Sequence, residues 1–499
     1  MLSFTTIAVL ITSFGISYAT FNAIYNFYFH PLRKYPGPVL NRLTYMKKGY
    51  HVLKGDYIFQ LKALHRKYGH VVRVTPTELS YIDEQAWSDI YAHSNTLKSG
   101  NLPKNPNNFR PEENGATTLF TANDADHRRI RRIQAHIFSE KALTVHEPLL
   151  KSYIIELVSK LHEKASAPST SIVDLVNWYN YTTFDILGDL AFGESFGCLR
   201  SDALHPWISN NFFLIKDLVC WIGCKNFPWP LEKLLYRLTP REAREARHQA
   251  TDFASQKARD RMALEATDRV DLMTYILKHN DEKGMTIPEI EVNARTLILA
   301  GSETTATFLS GVTYHLLCYP QQLAKVTSLL RSTFESVDEI TGAALTKLEF
   351  FNAVIEESFR LYPPATSIIP RFTNPGGSII CGELVPENTT VSIALVPAST
   401  SPDFWTDADE FVPERWCKEE RCPEKYRNDN RKVMQPFSIG PRNCIGKNLA
   451  KLEIRLILAI MLWNFDFELQ PDSINWKDQK VFGFWEKNPL HVKLISRKA

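Results

Sequence analysis

Cys444 stands in the segment of this chain best suited to chemistry, Phe437-Ser438-Ile439-Gly440-Pro441-Arg442-Asn443-Cys444-Ile445-Gly446. Gly440 and Pro441 form a tight turn, and an apolar run of helical period starts at the cysteine and reaches about Trp463. That places the thiol at a helix N-terminus, where unpaired N–H groups and the positive end of the dipole favour the thiolate, the form that binds metals. Gly446 has no Cβ, so a flat group can approach the backbone there. Arg442, two residues before the thiol, is a planar donor suited to an anionic carboxylate. The competing reading is plainer: a Gly-Pro turn leading into a core helix, with an inert buried thiol.

Further chemistry-bearing groups lie upstream. Ala300-Gly301-Ser302-Glu303-Thr304-Thr305 falls inside a predicted helix over 286–318. Thr286 and Glu289 have capping-box spacing, Pro288 suits the first turn, and Pro320 lies just past the end. A mid-helix glycine costs about 1 kcal/mol relative to alanine, so Gly301 needs a reason. Taken alone, this polar patch is also what a kinked helix would show. Glu357 and Arg360, spaced i,i+3, would in isolation be a surface pair worth roughly 0.2–0.5 kcal/mol. Arg371 follows a proline, and His127 and Arg131 fall one helical turn apart in His127-Arg128-Arg129-Ile130-Arg131.

Together these segments resemble the cytochrome P450 superfamily, in its microsomal, reductase-dependent form. Phe-x-x-Gly-x-Arg-x-Cys-x-Gly is that family's haem-binding signature, matched at each fixed position, and the family is the standing instance of Cys-thiolate haem ligation. The resemblance implies haem b with Cys444 as the axial iron ligand, Phe437 and Gly446 against the ring, and Arg442, Arg371, Arg131 and His127 near its propionates. Family members usually carry Trp at the His127 position, so this chain departs from the pattern there. Glu303 and Thr304 are implied as an acid–alcohol pair that relays protons, on a helix locally widened to admit dioxygen. Glu357, Arg360 and Arg415 are implied as a buried structural network. Arg128, Arg129 and Arg132 are read as a reductase-docking face. The implied fold is mainly α, the helical P450 prism with small β-sheets, plus an N-terminal transmembrane helix.

The elements that must position these groups are consistent with that reading. A 499-residue chain, 44% hydrophobic with 29 Phe, can bury a large core, and a net charge of +3 gives no reason to expect nucleic acid. Eight scattered cysteines suit reduced, cytosol-facing thiols, and Cys220/Cys224 and Cys417/Cys422 lack partners at zinc-finger spacing. No charged residue occurs in 1–29, a run long enough to span a bilayer, and Arg33, Lys34, Arg42, Lys47 and Lys48 follow it. The expectation is an anchor over 1–29, a stiff non-helical neck at His30–Pro38, and a cytosolic haem domain over 30–499 at the endoplasmic reticulum. A cleaved signal peptide is the rival, without its charged n-region. Amphipathic helices are predicted over 144–164, 231–264 and 286–318, and short strands near Val71–Val74, Ser378–Cys381 and Thr390–Ala394.

The implied activity is monooxygenation of a lipophilic small molecule with dioxygen and NADPH-derived electrons from a separate reductase, as in the fungal secondary-metabolism members whose neck this chain resembles. The substrate wall is expected from the Phe109–Phe120 loop, Phe212/Phe213, Leu297 and Ala300, Thr366–Ile369 and Phe482–Trp485. Two other classes stay open: a haem-thiolate isomerase or dehydratase working without dioxygen, and a non-enzymatic haem-binding membrane protein. An intact Glu303-Thr304 pair argues against both.

Overall fold

The helices that frame the site are α1 (Phe4–Ile24), α2 (Asp124–Gln134), α3 (Glu140–Ala165), α4 (Leu175–Phe192), α5 (Pro206–Cys224), α6 (Ile287–Cys318), α7 (Glu349–Leu361) and α8 (Lys447–Asn464). They belong to a computed structural model that describes residues 3–92, 101–112, 114–239, 241, 253, 255–263, 271–280 and 284–497. The capping box expected at Thr286 and Glu289 opens α6, with Glu289 accepting the Thr286 N–H at 2.9 Å and Pro288 in the first turn. α4 is apolar on nearly every side and is buried along nearly its whole length, which makes it the central partner of α6. α8 packs on α3 and α6, and α7 lies against α6.

Strands are few and short. β1 (Val71–Thr75), β2 (Glu78–Tyr81), β3 (Arg371–Phe372) and β4 (Thr390–Ile393) form a sheet of order β1-β2-β4-β3. β2 runs parallel to β4, and β3 pairs antiparallel with Arg371 opposite Val391. A hairpin of β5 (Lys480–Phe482) and β6 (Phe484–Glu486) turns at Gly483. Ile172–Asp174, His491–Ser496 and Phe465–Leu469 make a three-stranded sheet.

Glu357 and Arg360 are not a surface pair. Both are completely buried, with Arg360 bidentate on Glu357 at 2.7 and 2.8 Å and Arg415 Nε on the same carboxylate at 3.1 Å. Arg360 also donates to the carbonyls of Ser399, Ala408 and Glu410, and Trp416 Nε1 donates to Glu357 at 2.8 Å. Burial alone would raise the Glu357 pKa, but the two guanidiniums override it and hold it below the usual carboxylate value.

Three expectations change in detail. The neck holds a 3-10 turn at Pro31–Lys34, because His30 caps it by accepting the Leu32 N–H and Pro31 presets φ. The helix expected over 231–264 is Leu231–Arg237 followed by a break, ahead of the helix-breaking Thr239-Pro240 step; part of the remainder lies outside the described residues. α8 starts at Lys447 and not at the cysteine. α1 is capped by Ser3 and exposes Val9, Leu10, Phe14, Ile16, Phe21 and Ile24. The side chains of Phe4, Ile7, Ala8 and Ile11 lie outside the described ones. Among the described residues no helix is long and apolar enough to cross a membrane.

Candidate active site

The loop that carries Cys444 is fixed by one obligatory glycine. Gly440 has φ +75°, and a Cβ there would stand 2.0 Å from the Tyr91 carbonyl oxygen. A 3-10 turn over Gly440–Arg442 follows, and the Cys444 N–H donates to Phe437 O at 2.9 Å. This turn, continued by extended Asn443, delays α8 and leaves the thiol just ahead of its first turn. Arg131 braces the loop from α2, donating to Asn443 O at 2.7 Å and Asn443 Oδ1 at 2.6 Å. Phe437 meets Phe359 of α7 edge-on, and Phe359 packs on Phe308 of α6, so an aromatic chain links α6 to the cysteine loop.

The Cys444 side chain reaches solvent, yet protein crowds around the sulfur. Enclosure governs its electrostatics: burial pushes the thiol up, while the Gly446 N–H, Arg131 and Lys447 pull it part of the way back. A metal taking the sulfur would displace the proton.

Beside the thiol five basic side chains come within reach of one another: Lys104, His127, Arg131, Arg371 and Arg442. The carboxylate among them is Asp124, which accepts from Arg442 Nη2 at 2.6 Å. Burial, then Arg442 and Arg371, push Lys104 down to about 6. Burial, then Arg442, Lys104 and Arg131, push His127 down to about 3. Arg371 Nη1 and Arg442 Nη1 are buried with no partner among the described residues. So dense a cluster of partly buried basic groups calls for anions to offset it. At Gly446 a Cβ would meet protein only at 3.9 Å, on Phe138, so protein packing does not explain the glycine. A soft thiolate ligand, a side-chain-free approach to the backbone and a cationic pocket for two carboxylates fit a haem.

α6 keeps one partly accessible face. Leu297, Ala300, Gly301 and Thr304 keep accessible surface at helical spacing in a helix otherwise largely buried. The helix is unbroken here, and the reason for Gly301 is α4: a Cβ would sit 3.1 Å from Leu187 Cδ1. Thr304 Oγ1 donates to Ala300 O at 2.6 Å. Glu303 turns elsewhere, with Thr307 Oγ1 donating to its Oε1 at 3.0 Å and Lys487 Nζ on the same oxygen. On α8, Glu453 is 1% exposed and pushed up to about 8 by burial, with the Thr305 hydroxyl of α6 pulling back. Glu453 Oε1 and Thr305 Oγ1 each lack a partner within hydrogen-bond geometry among the described residues.

The structure brings His127, Arg131, Arg371 and Arg442 together, while Thr304 and Glu303 lie on α6 with partners of their own. Arg129 is not a free docking cation: it bonds Glu289 and Asp126 and lines a surface hollow of about 520 Å³ at the start of α6. Arg128 and Arg132 are exposed. Of the expected wall, Phe482 and Trp485 are buried, Trp485 stacking on Tyr362, while Phe484 keeps accessible surface; Phe213 is exposed, and the Phe212 side chain lies outside the described ones. Lys104, Asn443, Thr307 and Lys487 were not legible as site residues, although Thr307 stands at i+4 from Glu303, the spacing that pairs side chains on a helix.

The sequence matches the family model described as Cytochrome P450 over residues 36–493. It is 43% identical over 489 residues to Cytochrome P450 monooxygenase astA of Talaromyces wortmannii, covering 98% of this chain and 97% of that one. It is 42% identical over 472 residues to Cytochrome P450 monooxygenase aclL of Aspergillus oryzae, covering 94% of each. It is also 42% identical over 482 residues to the Trichothecene C-4 hydroxylase of Trichoderma arundinaceum, covering 95% of this chain and 94% of that one.

Proposed function

The chain belongs to the cytochrome P450 family and is a monooxygenase, and from that premise we propose that it hydroxylates or epoxidises a lipophilic small molecule of fungal secondary metabolism. The observation that carries the site assignment is the accessible Cys444 beside a partly buried cluster of Lys104, His127, Arg371 and Arg442, short of anions. Bound there, haem b would supply dioxygen activation and transfer of one oxygen atom to an unactivated C–H bond or an alkene.

The chain's own residues divide the remaining work. Cys444 gives its thiolate, and the Gly440 turn and the Arg131–Asn443 bonds hold that sulfur in place. Arg371 and Arg442, each with one buried nitrogen unpartnered among the described residues, would hold the propionates, with Lys104 and His127 beside them. The accessible face of α6 receives the substrate, with Leu297 and Ala300 as apolar contacts. Thr304 and Glu303 hold and pass protons. Electrons come from NADPH through a separate reductase that docks on a basic face including Arg128 and Arg132. The exposed apolar side chains of α1 and the basic residues after it support anchorage in the endoplasmic reticulum membrane, with the body in the cytosol.

Leu297 and Ala300 on the accessible face of α6 support a lipophilic substrate; the relative named for trichothecene C-4 hydroxylation is one instance of a hydroxylation in this family. The test is isotopic. The compound that accumulates when the gene is deleted is incubated with membranes carrying this protein and reductase, under labelled dioxygen. Monooxygenation predicts an NADPH-dependent product carrying one labelled oxygen atom. An unlabelled rearrangement product formed without NADPH would establish the isomerase reading instead.

A further inference from the structure

Glu303 is 2% exposed and uses its two oxygens unequally. Oε1 accepts from Lys487 Nζ and from Thr307 Oγ1, and Lys487 Nζ also reaches Thr307 Oγ1 at 2.7 Å, closing a triangle. Oε2 has no partner among the described residues. The lysine side chain is 6% exposed. It follows β6 directly, where Trp485 Nε1 donates to Pro363 O at 2.9 Å and the Trp485 ring stacks on Tyr362 at 4.5 Å. At the hairpin turn, Thr366 Oγ1 donates to Gly483 O at 3.2 Å. Tyr362 is the other titratable group that feels Glu303; its hydroxyl donates to Gln479, and burial, then Glu303, raise its pKa well above the tyrosine range, so it stays neutral.

We propose that Lys487 is a positioning residue for the acid of α6, pinning Glu303 Oε1 so that Oε2 is the oxygen that takes up and releases protons. This rests on the reading of Glu303 and Thr304 as the proton relay. The physical reason is asymmetry. A carboxylate anchored through one oxygen to a fixed cation cannot rotate, so its second oxygen keeps one orientation. Without the cation, a buried carboxylate has no counter-charge and takes a proton instead, which leaves it unable to accept the next one.

The experiment uses full-length holoprotein with reductase and NADPH, without added substrate. One NADPH reduces one dioxygen to hydrogen peroxide with one added proton; two NADPH and two added protons reduce one dioxygen to two waters. The ratio of peroxide formed to NADPH consumed therefore reads proton delivery, and the reduced-CO spectrum verifies that each variant holds haem. Glu303→Gln is expected to raise the peroxide share. Lys487→Met should raise it to the Glu303→Gln value, Lys487→Arg should return it to wild type, and Lys487→Met/Glu303→Gln should add nothing. Thr307→Val, which keeps both charges, should give a smaller rise and serves if Lys487→Met does not fold. An independent readout is infrared absorption. Lys487→Met should add a protonated-carboxyl band at neutral pH beyond the one Glu453 gives in wild type, and the double variant should lose the added band. If Glu303→Gln raises the peroxide share while Lys487→Met and Thr307→Val match wild type, the proposal is overturned and the relay reading survives. If Glu303→Gln itself changes nothing, the relay reading falls and takes the proposal with it.

Discussion

Thr304 and Glu303 are adjacent in sequence, but their side chains engage different partners, one the Ala300 carbonyl and the other Lys487 and Thr307. Thr304→Ala removes a hydroxyl that bonds only within its own helix turn in the described structure, and alanine favours helix, so haem content and the CO spectrum should be retained. Proton delivery should suffer, and positioned acid–base groups typically contribute ~10²–10⁴-fold. Product formed per NADPH should therefore drop well below wild type, with the missing equivalents recovered as hydrogen peroxide; unchanged coupling would remove Thr304 from the relay. Glu453 offers a separate test through stability. Its folded pKa is raised to about 8 from an ordinary 4.5, so the folded state binds more protons than the unfolded chain between those values. Stability contributed by the protonated carboxyl is then present in full below about pH 4.5 and is lost as pH rises through about 8, roughly 4–5 kcal/mol in all. Glu453→Gln, neutral throughout, should flatten that pH dependence, and thermal unfolding of wild type and variant across pH 5–9 would reveal it. Parallel curves would mean that Glu453 is ionised in the folded protein.

At the scale of elements, signals that act within a few residues were the legible ones. Thr286, Pro288 and Glu289 announce the start of α6 because a capping box is a local structure, and α6 begins where they place it. The Gly440-Pro441 turn is likewise local, whereas α8 starts three residues beyond the cysteine because Asn443 continues the turn in extended conformation. Glu357 and Arg360 show the opposite case. Their i,i+3 spacing is the same for a surface pair and a buried one, and only packing beneath Trp405 and Trp416, supplied from 40 or more residues downstream, decides it. Lys487 and Lys104 were illegible for the same reason: their partners Glu303 and Arg371 lie 184 residues and some 270 residues away in sequence. α1 gives an element-scale prediction. Removing residues 1–29 should release the protein from membranes under high salt while leaving haem incorporation intact, as sedimentation and haem absorbance would show. Continued pelleting of the truncated protein would shift the anchorage to another surface.

For the whole molecule, the family assignment spans residues 36–493, and the mainly helical architecture with small peripheral sheets agrees with it. What local motifs could not convey is how the site is assembled. Lys104 from one loop, His127 and Arg131 from α2, Arg371 from β3 and Arg442 from the cysteine loop meet only after the chain has folded. The fold therefore makes a strong claim about one atom, the Cys444 sulfur. The most direct test is the reduced-CO difference spectrum of the full-length protein, wild type against Cys444→Ser. Wild type should show the thiolate-type band, and Cys444→Ser should lose it together with NADPH-dependent turnover, because an alcohol does not supply the axial electron density of a thiolate. A thiolate-type band retained in Cys444→Ser would mean that another cysteine binds the metal, and the site described around Cys444 would be wrong.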